Sequence, residues 1–171
     1  LDIDGGTLAV TAGNSLSAGN VDIEDAGGVT VGAGSTLQST GGTFTNSDQI
    51  AVAAGGLLVS SAALTNEASG TLTYANGGTL NAGGAGSGTV TNDGTVTVTS
   101  GTVADVGNDT LQNNNIVNID GAGTLSFGVI TNNVGGTINV NAGGTLQGTG
   151  STINNNATIN IAAGSTTTDA N

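Results

Sequence analysis

The chain has 171 residues and a formal net charge of −12, with 12 Asp and Glu but no Lys, Arg, His, Cys, Pro, Met or Trp. Without cationic side chains it is not expected to bind nucleic acid or an anionic membrane surface, and without Cys or His it lacks the ligands of zinc, copper and iron–sulfur sites. Catalytic arrangements that require His, Cys or Lys cannot be assembled from this chain. Carboxylates are therefore the side chains left for acid–base chemistry. Since 36% of residues are hydrophobic and 7% are charged, disorder is disfavoured.

The sequence predicts neither membrane insertion nor a leader segment. The longest mostly apolar stretch, residues 50–59, has 10 residues and contains two glycines, whereas a spanning helix needs about 20. The chain begins at Leu1 without a basic and then apolar leader, so we interpret it as a mature or excised segment.

One short pattern recurs from end to end: apolar, any residue, apolar, two linkers, Gly, any residue, Ser or Thr, apolar. The copies are spaced by 21, 21, 22, 24, 21, 21 and 21 residues. Within each copy the apolar residues alternate with period two and are rich in Val and Ile, which predicts β-strands. The copies start at Leu8, Val29, Ile50, Leu72, Val96, Val117, Ile138 and Ile159.

Further columns appear when the repeats are aligned. A third apolar column follows the glycine of each corner, and a fourth pairs an apolar residue with an amide two positions later, so each repeat is predicted to hold three short strands. Asp25 and Asp4 are assigned to the earliest positions of this amide column. Its later members are Asn46, Asn66, Asn92, Asn113, Asn132 and Asn155.

These columns predict an all-β fold, a parallel β-solenoid over residues 1–171 as a single domain. About 21 residues cannot bury a face alone, but coils stacked about 4.8 Å apart pair every strand with its copy in the next coil. We expect eight right-handed, three-sided coils, with asparagine amides hydrogen-bonded into a ladder. A β-sandwich also has many short strands, but it does not explain phased columns.

The segments "TFTNSDQIAVAAGGLL", "TVTNDGTVTVTSGTV" and "INVNAGGTLQGTGSTINNNATINIAAGST" resemble the β-helical passenger regions of bacterial autotransporters and filamentous-haemagglutinin-type adhesins. The likeness covers nearly the whole chain. It implies a secreted or cell-surface, extracellular location, a role in adhesion or structure, and a host or neighbouring-cell surface as a possible partner.

The acidic residues near the start of the chain form the one candidate metal site. Asp4 and Asp25 are expected to stack one coil apart, where like charges repel unless a cation such as calcium bridges them. The alternative is a solvated corner whose side chains splay apart, and no calcium-roll motif "GGxGxD" occurs. The five acids are Asp2, Asp4, Asp22, Glu24 and Asp25.

The residue types present also bear on two other functions. Paired carboxylates occur in glycosidases. However, the chain has no Lys or Arg to hold an anionic sugar and no Trp to stack on a neutral one. We therefore expect that the protein is not an enzyme and that it binds no cofactor apart from calcium. A rank of hydroxyl side chains could bind ice, although Thr is also a common outward-facing strand residue. The rank comprises Ser15, Thr36, Thr79, Thr102, Thr124, Thr145 and Thr166, interrupted by Leu57.

The two ends of the chain predict self-assembly. The residues before Leu8 and those from Ile159 onward add up to 20, close to the period of 21. The chain therefore spans nearly a whole number of turns. Uncapped ends expose strand edges that can template another chain, which predicts head-to-tail stacking into a filament. In that joint we expect Asp4 of one subunit over Asn155 of the next. The main functional prediction is therefore an extracellular structural fibre or surface layer, and the alternative is a stalk segment of an adhesin.

Overall fold

The computed structural model describes residues 1–75, 77–83, 88–104 and 109–169, without the side chains of Thr102, Ala104 and Ser151. Throughout these ranges the regular structure is β-strand. The strands are β1 Asp2–Asp4, β2 Thr7–Val10, β3 Ser15–Ala18, β4 Val21–Glu24, β5 Gly28–Val31, β6 Thr36–Ser39, β7 Thr43–Asn46, β8 Gln49–Val52, β9 Leu57–Ser60, β10 Ala63–Asn66, β11 Thr71–Tyr74, β12 Thr79–Ala82, β13 Thr89–Asn92, β14 Thr95–Val98, β15 Gly101–Ala104, β16 Thr110–Asn113, β17 Ile116–Ile119, β18 Gly123–Asn132, β19 Thr137–Val140, β20 Thr145–Asn155, β21 Thr158–Ile161 and β22 Thr166–Asp169.

The strands wind into an all-β parallel solenoid of about seven turns, close to the eight coils that the repeats predict. Side A carries β1, β4, β7, β10, β13, β16 and the second halves of β18 and β20. Side B is an eight-stranded sheet in the order β2, β5, β8, β11, β14, β17, β19, β21. Side C carries β3, β6, β9 and β12, and then β15, the first halves of β18 and β20, and β22. The predicted three-sided coil is thus what the strands form.

The repeat columns become the ranks of the core. On side B the first apolar column pairs residue for residue from coil to coil, as in Leu72 with Ile50 and Val96. The third column does the same on side C, where Leu37 lies between Leu16 and Leu58. The strands point alternate side chains inward, and in the inner coils the inward apolar side chains are almost fully buried in one continuous hydrophobic cluster.

Side C is interrupted where the repeat is longest. The described residues contain no ladder between β12, which lies within the 24-residue repeat, and β15, the next strand of side C. The fully buried carboxylate of Asp109 lies there and accepts hydrogen bonds from the backbone N–H groups of Ala82 at 2.7 Å and Gly88 at 2.6 Å. The Asp109 carboxylate thus satisfies two backbone N–H groups near the interruption of side C.

None of the described residues belongs to a helix long and apolar enough to cross a membrane.

Candidate functional site

A chain of hydrogen-bonded asparagine side chains runs inside the solenoid, where side A turns into side B. Each Nδ2 donates to the Oδ1 of the asparagine one coil further on, and the first five residues of the column are fully buried. The bonds run Asn46 to Asn66 at 2.7 Å, then Asn66 to Asn92, Asn92 to Asn113, Asn113 to Asn132 and Asn132 to Asn155, each at 2.8 Å. The six predicted ladder residues therefore form one uninterrupted column.

The same amides also fasten the corner to side B. Asn92 Nδ2 donates to the Ile116 carbonyl at 2.9 Å, and Asn132 Nδ2 donates to the Thr158 carbonyl at 2.9 Å, in each case on the following coil. An amide carries both donors and an acceptor, so identical side chains can satisfy one another along the axis. Hereafter this column is called the amide ladder, and it makes each coil a template for the next.

Glycines at the corner leave the space that the ladder occupies. A Cβ at Gly136 would overlap Asn132 Oδ1 and would lie 2.6 Å from the Asn113 carbonyl oxygen. A Cβ at Gly70 would overlap Asn66 Oδ1 and the Asn46 carbonyl oxygen. Glycine is thus required here for close approach to the amides.

A second polar column lies outside the solenoid, one residue after the amide ladder. Asn133 Nδ2 donates to Asn114 Oδ1 at 2.7 Å, and Asn114 Nδ2 donates to Asp93 Oδ1 at 2.7 Å. Nearer the start of the chain, the Ser47 hydroxyl donates to Glu67 Oε2 at 2.8 Å. Acid–amide and acid–hydroxyl pairs are therefore accommodated between neighbouring coils.

The predicted position of Asp4 and Asp25 in the amide column is wrong. The strands pair Asp4 with Glu24, and Asn46 with Ile23, which in turn pairs with Ile3. Two isoleucines therefore occupy the first two positions of the column, and Asp25 follows β4 in a turn with a φ of +49°. The physical reason is burial: Val21 and Ile23 both enter the core, whereas an inward Asp25 carboxylate would have no cation to pair with.

The five N-terminal acids remain at the surface. Asp22 is half-buried, the other four are exposed, and Asp2 pairs with Asp22 across neighbouring strands. The carboxylate of Asp22 is the largest cause that raises the pKa of Glu24, with smaller contributions from desolvation and from Asp2, Asp25 and Asp4. Across the described ranges no three His, Cys, Asp or Glu side chains converge as a metal site requires. Calcium binding by these acids stays a prediction.

The register also corrects the residues expected at a subunit joint. Asn155 continues the column that begins with Ile3 and Ile23, because Asn46 pairs with Ile23 and Ile23 with Ile3. A following subunit stacked in the same register would therefore place Ile3, not Asp4, over Asn155. Sequence alignment missed this since it matched Asp25 to the asparagines by spacing alone.

The hydroxyl rank predicted for side C is divided by the interruption of that side. Ser15, Thr36, Leu57 and Thr79 pair in one group, and Thr124, Thr145 and Thr166 pair in the other. The backbone of Thr102 pairs with Thr124, and its side chain lies outside the described residues. The rank is therefore not one continuous array.

Two further polar side chains, those of Asp109 and Tyr74, are buried outside the amide ladder; the position of Asp109 was not predicted from the sequence. Asp109 stands two positions before Leu111, in the inward phase of side A, and that phase was the signal available. Tyr74 is fully buried in the core, its hydroxyl has no hydrogen-bond partner among the described residues, and burial raises the pKa of that hydroxyl.

No protein-family model, curated protein or solved structure matches this sequence.

Proposed function

We propose that the chain is a non-catalytic, extracellular structural protein whose solenoids stack head to tail into a fibre or surface layer. The observation that carries the proposal is the amide ladder, in which every buried side chain satisfies an identical one in the next coil. Such an arrangement stabilises repetition along one axis.

The end coils of this 171-residue chain support stacking. Leu8 and Leu16 at one end, and Ile153 and Ile159 at the other, are core residues that stay partly exposed. Ile161, on the last strand of side B, is 56% exposed. The partly exposed core side chains of these coils are apolar surface that another coil could cover, which supports the addition of a further coil to the 171 residues.

The amide ladder defines what a joint would contribute. Asn155 receives the hydrogen bond from Asn132 and is exposed, and its Nδ2 donates to the Ala157 carbonyl at 3.3 Å. In the inner coils the same atom reaches the carbonyl of the first side-B residue of the next coil, as Asn132 does to Thr158. In a stacked pair the corresponding acceptor is the Thr7 carbonyl of the following subunit, while Ile3 packs above Asn155.

The edge of β21 offers a clean way to test stacking. Thr158 and Ala162 donate their N–H groups to the preceding coil, so by the alternation of a parallel ladder the N–H of Ile161 points to the free end. Ile161→Pro removes that donor without removing a ladder bond inside the chain. We expect electron micrographs of the unmodified chain to show long unbranched filaments and those of Ile161→Pro to show short rods.

Ile161→Ala is the matched control because it removes the same apolar side chain and keeps the N–H group. It should still form filaments, at a higher protein concentration. Short monodisperse rods of the unmodified chain in every condition would contradict the stacking proposal.

The second candidate is a stalk segment of a cell-surface adhesin. The same ladder favours it, since continuous pairing makes a rod that can hold a binding region away from a surface. Rods without filaments in the preceding experiment would favour this candidate. In both, the expected partner set is another copy of the chain or a host or neighbouring-cell surface.

A further inference from the structure

The outer face of side B is free of charge although the chain carries 12 acids. Eight of these acids lie on side A or at its corner with side B, and none is among the outward residues of side B. The eight are Asp2, Asp4, Asp22, Glu24, Asp25, Asp48, Glu67 and Asp93. A strongly anionic rod thus has one uninterrupted eight-stranded face that another copy can approach without burying charge.

This face has a depression near one end and a protrusion near the other. The depression, of about 480 Å³, lies over the first four side-B strands, where Gly28 and Ala51 are the small outward residues. Ile116, on the sixth strand, is a large apolar residue that faces outward and is 38% exposed. Gly28 and Ile116 belong to the same outward rank, as the strand register shows.

The two features are placed symmetrically. Gly28 lies on the second side-B strand and Ile116 on the sixth, so the fourth strand, which carries Thr71 and Thr73, is midway between them. A two-fold axis along that strand brings two copies face to face as antiparallel rods. Ile116 of each copy then meets the depression at Gly28 of the other, and Thr71 faces Thr71.

The second outward rank has the same size gradient. Its small residues Ala9 and Ala51 lie on the first and third strands, and the axis places them opposite Asn139 and Thr97. Small residues therefore meet larger ones at these pairs, whereas in the first rank Gln49 faces Thr95. In a parallel arrangement large would meet large, because strands of the same number would face each other.

We propose that side B is a self-association surface, through which two copies of this chain pair laterally as antiparallel rods. Seven facing strands make a contact of about 34 by 13 Å, which corresponds to roughly 900 Å² buried in total. That area is typical of weak, transient complexes, so the pair forms at high local concentration. It is independent of head-to-tail stacking, and the two together would give paired antiparallel filaments, because the two-fold contact uses the one side B of each rod.

Charge adds a measurable signature to the pairing. The acidic corners of the two copies share an edge in this arrangement, with Asp48 near Asp93 of the other copy. Their repulsion is screened by salt, with a Debye length of about 10 Å at 0.1 M. Association should therefore strengthen between low ionic strength and 0.3 M salt, which is the opposite of pairing driven by salt bridges.

The absence of cysteine and lysine makes site-specific crosslinking unambiguous. Thr71→Cys, in the Ile161→Pro background that blocks stacking, should crosslink to itself with a thiol reagent matched to the spacing of about 10 Å between packed sheets. Thr30→Cys and Asn118→Cys should each fail alone and react when mixed, because the axis places one opposite the other. Thr36→Cys on side C is the control that should not react.

If Thr30→Cys crosslinks to itself, and mixing it with Asn118→Cys gives no additional crosslinked product, the rods pair in parallel and the proposal is overturned. No crosslinking of Thr71→Cys at high protein concentration would overturn self-association through side B altogether. Filament formation by the unmodified chain is scored separately, so the failure of either proposal leaves the other testable.

A second measurement uses the protrusion and the depression themselves. A Cβ at Gly28 meets Thr7 Cγ2 at 3.7 Å, an ordinary contact, so we expect Gly28→Val to fold and to place an apolar side chain in the depression. It should weaken the dimer about tenfold in sedimentation equilibrium, and adding Ile116→Ala should recover most of the loss. Equal dimer affinities for all three proteins would contradict the proposed contact.

Discussion

The first two coils and the middle coils of side A solve the same stacking problem with different residues. In the middle coils asparagine lies over asparagine, and each amide donates to the next at 2.7–2.8 Å. In the first two coils isoleucine lies over isoleucine inside, while Asp2 and Asp4 lie beside Asp22 and Glu24 outside. Stacked coils place equivalent residues next to each other along the axis. An asparagine amide therefore gains an amide partner in each coil, whereas a carboxylate lies beside another carboxylate.

The largest expected effect comes from charge inside the core. Ile138 is fully buried between Val117 and Ile159. Ile138→Asp places an unpaired carboxylate there, in a chain without a basic side chain, and should lower the free energy of unfolding by about 4 kcal/mol or more. Urea denaturation measures it, with the outward-facing Thr137→Asp as control. Similar losses for both variants would contradict the assigned burial.

Breaking the amide ladder should have the next largest effect. Asn92→Ala removes the acceptor of Asn66 and the donor to Asn113 and the Ile116 carbonyl. We expect a loss of about 2–3 kcal/mol because buried polar groups lose their partners. Asn114→Ala, in the half-buried outer column, should cost less than ~1 kcal/mol. Equal costs would mean that burial of the ladder adds nothing.

The glycine corners test whether the ladder needs space. Gly136→Ala puts a methyl group against Asn132 Oδ1 and the Asn113 carbonyl and should destabilise the protein by ~2 kcal/mol. Gly6→Ala is the matched control, since no atom lies within 4 Å of its Cβ. The difference between their unfolding midpoints is the measurement, and a neutral Gly136→Ala would remove the steric argument.

The smallest effect belongs to the acidic coils and depends on pH. Because Asp22 raises the pKa of Glu24 above its ordinary 4.5, the protonated form is favoured on folding. The stabilising contribution is therefore present below pH 4.5 and is lost as pH rises through the folded-state pKa. Asp22→Asn should lower the pKa of Glu24 and reduce this loss.

An NMR titration of the Glu24 carboxyl carbon checks the direction of the shift. Asp120→Asn is the control, because Asp120 is remote from Glu24 and accepts a hydrogen bond from Asn141 instead. An unchanged Glu24 titration in Asp22→Asn would show that the two carboxylates do not interact.

Much of this molecule could be predicted from sequence, and the parts that could not share a cause. The period near 21 and the apolar columns predicted the parallel three-sided solenoid, and the spacing of Asn46 to Asn155 predicted the ladder. Prediction was wrong at Asp4 and Asp25, where two registers fitted the spacing equally well. Asp109 was missed because its partners, Ala82 and Gly88, are distant in sequence and donate from the backbone.

By itself the sequence determined the coil, because a repeat of this length must stack to bury its apolar columns. Tertiary structure alone decided the register of the N-terminal coils, the interruption of side C, and the depression and protrusion on side B. Those features depend on which backbone groups and side chains meet across coils. A local pattern constrains which face a residue points to, but the partner on the neighbouring coil is chosen by burial and hydrogen bonding throughout the stack.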